Sequence, residues 1–255
     1  MASGALTEAL PSGRAEPVCG CRQDTLVVNT NAKRTEASRR RFQAGGTRRR
    51  EPVTVYVDVQ AGSDANVGTT PETAWQTLAR LNREQLAAGS QVLLKRGGVW
   101  NEGLRLRGRA PADKPILLGS YGEGPRPRIN GGGHHAVTAD KPVSGWRISG
   151  LELTSTNDLN PTRRITGGTC GIFLQQSEPC EGLVIEDCVI HDTSGPGIYL
   201  LARGEPKAVF KGVVIERCEV HNASCGIQFL SGPLYSVEYF PNFRVAHCIV
   251  HDIGG

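Results

Sequence analysis

At 255 residues the chain has room for one large domain or two small ones, and its 32 glycines against 5% aromatic residues fit a turn-rich β architecture better than a helical bundle. No apolar run approaches the roughly 20 residues that a membrane span requires, and the opening MASGALTEALPSGRAEP lacks the basic start and apolar core of a secretory signal. The net charge of +4 divides unevenly: residues 1–52 hold 10 Lys+Arg against 5 Asp+Glu, which leaves 19 against 20 for the remainder.

The basic surplus sits chiefly in Arg39–Arg41 and Arg48–Arg50. Such runs suit nucleic acid or anionic surfaces, but a tail with so few large apolar residues cannot offset the entropy of ordering it. Residues 1–52 are therefore read as a basic, disordered extension, and no nucleic-acid partner is expected. Cys19-Gly-Cys21 lies in that tail with no second pair, which is weak as a metal motif. The domain is read as 53–255, with a cap over about 53–90. VTVYVDV (53–59) alternates and is rich in β-branched residues, so it predicts a strand. A turn-rich loop, 61–73, contains Asp64-Ala65-Asn66-Val67-Gly68, which lacks the remaining ligands of a calcium loop. The spacing of Trp75, Leu78 and Leu81 predicts a helix over 74–86. Short strands follow at 91–97, 103–108, 115–122 and 127–131.

Self-similarity dominates the second half. Four segments align without gaps: WRISGLELTS (146–155), LVIEDCVIHD (183–192), VVIERCEVHN (213–222) and FRVAHCIVHD (243–252), the last three thirty residues apart. GIFL (171–174), GIYL (197–200) and GIQF (226–229) recur between them. Alternation assigns the faces: the first, third, sixth and eighth columns are apolar or cysteine throughout. Two successive polar positions, as in Glu186-Asp187, mean that the chain turns a corner while its core stays on one side. Like residues stacked at like positions describe a solenoid filled by ladders. A leucine-rich repeat lacks its leucine consensus here, and a propeller blade would be longer. Two long outward chemistries stack as well. Asp187, Arg217 and His247 form a corner column, suited either to positioning and proton transfer on a sugar or to surface ion pairing. His191, His221 and His251 form a second, followed by Asp192, Asn222 and Asp252, which tolerate left-handed turns.

On these residues (YVD, GSDANVGT, AWQTLARLN, VLLKRGGVW, ILLGSYGEGPRPRING and the I-E-x-C-x-V-H-D coils) the chain resembles the right-handed parallel β-helix proteins of the pectate-lyase-like superfamily, over about 200 residues from Val53. The resemblance implies an all-β solenoid with an N-terminal capping helix. It also implies a polysaccharide-degrading enzyme, a lyase or glycoside hydrolase acting on extracellular and in some relatives uronic-acid-containing glycans. A non-catalytic glycan-binding or structural module is the alternative. Extracellular or periplasmic location, a monomer, and calcium as the one cofactor to consider follow from the same source. The chain stops just after a coil's second strand, which reads as a fragment of a longer protein.

Within that frame Cys188, Cys218 and Cys248 read as an inward free-thiol ladder. Each Cys-x-x-His pair faces opposite sides of the wall, which argues against zinc; no metal ligands are assigned. The candidate catalytic residues are Arg217, His247, His221 and Asp187. A lyase must neutralise a uronate carboxylate, by calcium or by Arg/Lys, and remove the adjacent proton with a poised base. Glu186 and Glu216 on adjacent coils read either as a carboxylate pair of the kind a retaining glycosidase uses or as ordinary solvated residues of an exposed strand. In the loops, Arg163, Arg164 and Lys207 are candidates to meet an anionic sugar, and Tyr235 and Tyr239 to stack on one.

Overall fold

The thirty-residue repeat closes into the turns of a right-handed all-β solenoid. Residues 50–155, 168–203, 209–231 and 239–254 are described in this computed structural model, and they belong to a unit spanning Arg48–Gly255. Seven strands stack in the order Thr54–Val57, Gln91–Lys95, Ile116–Tyr121, Trp146–Ser149, Val184–Glu186, Val214–Glu216 and Arg244–Ala246. Every neighbouring pair is parallel. A nine-stranded sheet supplies the remaining walls and includes Glu152–Ser155, Ile172–Gln176, Val189–Ala202, Glu219–Ser231 and Ile249–Ile253. Cys180–Glu181 pairs with Phe210–Lys211 in a small third sheet.

Register places the repeat columns directly over one another. Ile148, Ile185, Ile215 and Val245 form one row, and Leu153, Ile190, Val220 and Val250 another. All but the last member of each row are fully buried. Val245 and Val250 remain 42% and 47% exposed, because no coil among the described residues lies over them. Cys188, Cys218 and Cys248 stack as free thiols. Each donates to the carbonyl two residues earlier, those of Glu186, Glu216 and Ala246, at 3.2–3.4 Å, so a small hydrophobe that can also quiet a corner carbonyl suits the column.

The corners have a common backbone cause. Gly150, Asp187, Arg217 and His247 occupy one column and all adopt left-handed conformations, with φ of 69°, 53°, 52° and 55°. A second column, Asp192, Asn222 and Asp252, does the same at φ of 53°, 48° and 50°. A single left-handed residue redirects a strand without a loop, and Asp and Asn bear that conformation better than most side chains. The recurring glycine of the GI motif answers a different need. A Cβ on Gly171, Gly197 or Gly226 would lie 2.3 Å from Ile190 Cγ2, 2.3 Å from Val220 Cγ1 or 2.5 Å from Val250 Cγ1. The bare glycine makes room for the β-branched residue of the following coil.

The capping helix expected over 74–86 is corrected to a single helical turn, Leu78–Leu81. Strand-like pairing claims both ends. Trp75 bridges Val57, its N–H donating to the Tyr56 carbonyl, and the Leu86 N–H donates to the Arg107 carbonyl. The turn between them is capped twice: Thr77 accepts from the Arg80 N–H, and the Glu102 carboxylate accepts from the Leu78 and Ala79 N–H groups at 2.8 and 2.9 Å. Trp75, Leu78 and Leu81 are nevertheless buried, so the apolar spacing reported core contact but not helix length. Asp64 belongs to this junction, accepting from the Gln76 and Thr77 N–H groups and the Thr77 hydroxyl.

Candidate functional site

The outward face of the first corner is an ionic lattice built coil on coil. Arg147 holds Glu186 in a two-pronged pair, Nε to Oε1 at 2.5 Å and Nη2 to Oε2 at 3.0 Å. Arg217 grips Asp187 the same way at 2.8 and 2.9 Å, and reaches Glu186 and Glu216 at 3.2 Å each. Arg244 closes the row on Glu216 at 2.5 Å. The paired geometry is the strong form of charge-assisted hydrogen bonding. The Arg147 guanidinium holds the Glu186 carboxyl below its usual range, and Arg217 does so for Asp187; the Asp187 carboxylate in turn raises Arg217 further. Of the predicted pair Glu186 and Glu216, both carboxylates are thus engaged by arginines. His247 stands in the same column, exposed.

One strand further round, His191, His221 and His251 stack almost face to face, with centroids 4.8 and 5.0 Å apart. Both nitrogens of the outer two rings meet carboxylates. His191 lies 2.9 Å from Asp192 and 3.2 Å from Glu152, and His251 lies 2.8 Å from Asp252 and 3.2 Å from Glu219. Asp252, then Glu219, raise the His251 pKa above its ordinary value. His221 sits between the two rings, while Asn222 donates to Asp192. The arrangement stacks three imidazoles on one outward stripe, the outer two held by carboxylates on both ring nitrogens.

The structure therefore brings Asp187 and Arg217 together and sets His221 and His247 in separate outward columns on successive coils. Tyr239, expected to stack on a sugar, is instead buried with Phe240 in the core cluster, and this placement is corrected accordingly. Arg163, Arg164, Lys207 and Tyr235 lie outside the described residues. A feature missed in the sequence is the outer face of the GI strands. His135 stacks on Phe173 at 4.5 Å, and Phe173 meets Tyr199 at 5.3 Å. The Cys170 N–H donates to His135 Nδ1 at 3.0 Å, which puts the ring proton on Nε2, and burial pushes the His135 pKa down. The signal was present in GIFL and GIYL, whose third residues point away from the two apolar neighbours that face inward. Among the described residues no group of three or more His, Cys, Asp or Glu side chains is placed to hold a metal. No helix among them is long and apolar enough to cross a membrane.

Comparison with known proteins agrees with this architecture. Residues 153–239 match the family model described as right handed beta helix region. A 74-residue stretch is 36% identical to the lacto-N-biosidase of Bifidobacterium longum subsp. longum, covering 28% of this chain and 5% of that protein. Two structures of the GH136 lacto-N-biosidase from Eubacterium ramulus superpose with TM-scores of 0.63 and 0.62 at 22% identity, covering 82% and 86% of this chain and 43% of theirs. A rhamnogalacturonan lyase structure superposes with a TM-score of 0.51 at 16% identity, over 80% of this chain and 59% of its own. The chain thus spans less than half the length of the E. ramulus enzyme. The fold is the right-handed β-helix.

Proposed function

We propose that this β-helix is part of a polysaccharide-degrading enzyme, a lyase or glycoside hydrolase, working outside the cytoplasm. The observation that carries the reading is the stripe of stacked histidines and flanking carboxylates set on an architecture shared with carbohydrate-cleaving enzymes. His221 in that stripe and His247 in the corner column are the acid–base candidates, imidazole being the commonest general acid–base group. Arg217, oriented by Asp187, presents positive charge to a substrate oxygen or carboxylate.

One observation favours a second reading. The Arg217 guanidinium is already shared by three carboxylates, Asp187, Glu186 and Glu216, which is what a purely structural lattice requires. It favours the non-catalytic alternative, a glycan-binding module. A screen of the protein against pectate, alginate and neutral glycans separates the two. An unsaturated uronide product identifies the lyase, and new reducing ends without unsaturation identify the hydrolase. Turnover is expected to fall at least tenfold in His221→Ala or His247→Ala. Glycan binding with no product supports the module, and neither binding nor product on any of these glycans rejects both.

A further inference from the structure

Away from the histidine stripe, the turns that follow the early coils enclose a cleft of about 260 Å³ lined by Gln85, Arg107, Arg109, Lys141 and Glu178. Its charges do not balance. Arg105, Arg107, Arg109 and Lys141 crowd one rim, whereas Asp140 and Glu178 are the carboxylates paired there. Arg50 adds a further cation, donating to the Gln85 carbonyl at 3.1 Å.

The way each cation is held indicates which are spoken for. Arg109 is fixed by Glu178 at 2.8 Å and by the Pro179 carbonyl at 2.7 Å. Arg107 reaches Asp140 only at 3.5 Å, and its Nε is buried with no hydrogen-bond partner among the described residues. Lys141 is exposed and has no ion pair among them. The rest of the Arg107 guanidinium is open, its side chain being 40% exposed, and a cluster of like charges gains from a compensating anion. The volume falls just under the usual range for small-ligand clefts, about 300 Å³ and upward, which suits one sugar unit or a small ion rather than a run of sugars.

We propose that this cleft is an oxyanion site, with Arg107 and Lys141 contacting a carboxylate or sulfate and Arg109 shaping the wall. That the anion arrives on a glycan rests on the function proposed above; the oxyanion chemistry does not. The two sources are separable by titrating the full chain, at constant ionic strength, with inorganic sulfate, with a uronic-acid oligosaccharide and with a neutral oligosaccharide. Saturable sulfate binding is expected, weakened about tenfold in Lys141→Ala and in Arg107→Gln, with Lys141→Ala retaining the parent's unfolding midpoint because that side chain is exposed and unpaired. Uronate binding lost in the same variants identifies the glycan as the source, and sulfate binding alone identifies a free ion. Absence of both, or binding that neither variant alters, overturns the site. Binding of the neutral oligosaccharide without either anion leaves the glycan reading standing and removes this one.

Discussion

Replacing Gly197 by alanine should strain the solenoid, and replacing Val220 by alanine should relieve that strain. Val220 is fully buried, and its Cγ1 lies 2.3 Å from where a Cβ on Gly197 would stand. Val220→Ala removes two carbons, worth about 1.6 kcal/mol of transfer free energy at ~0.8 kcal/mol each. The remaining void, roughly 50 Å³, adds up to about 1.2 kcal/mol at ~24 cal/mol per Å³. Gly197→Ala costs about 1–3 kcal/mol by overpacking. In the double variant the new methyl occupies the space vacated by valine. Its cost should fall at least ~1 kcal/mol short of additivity, a coupling of the size contacting residues show. Urea unfolding followed by the fluorescence of the buried Trp75, Trp100 and Trp146 reads all four corners of the cycle. As an internal control, Val250→Ala in the same column should cost about half as much as Val220→Ala, because Val250 is 47% exposed. Strict additivity, or equal costs for the two valines, would refute the claim that the GI glycine exists to admit its neighbour.

Two further expectations concern titration. Arginine contacts lower the folded-state pKa of Glu186 and Asp187 from ordinary values of 4.5 and 3.8. Their contribution to stability is therefore present above those values and lost as pH falls through the lower folded ones; an acid unfolding profile that is unchanged in Arg217→Met would contradict the lattice. His251 has the opposite sign. Asp252 raises its pKa above 6.5, so protonation favours the folded state at low pH and that contribution fades as pH climbs through the folded value. Its NMR titration midpoint should lie above 6.5 and drop in Asp252→Asn; a midpoint at or below 6.5 in the parent rules the pairing out.

What the amino-acid order determined by itself is the solenoid. A thirty-residue period with inward columns such as Ile148, Ile185 and Ile215 admits one stacking, because slipping a strand by one residue would turn every apolar side chain to solvent. The outward histidine column was legible for the same reason. Three matters were decided only in three dimensions. Helical spacing at Trp75, Leu78 and Leu81 yielded one turn, since hydrogen bonds to Tyr56 and Arg107 outbid continuation of the helix at either end. Tyr239 lies near a loop in sequence but is buried in the core cluster, a choice made by tertiary packing rather than by local pattern. The cleft around Arg107 and Lys141 left no periodic trace, because turns of unequal length bring Gln85, Arg109 and Glu178 together from separate coils. Periodicity records the faces of strands; it does not record where irregular turns meet.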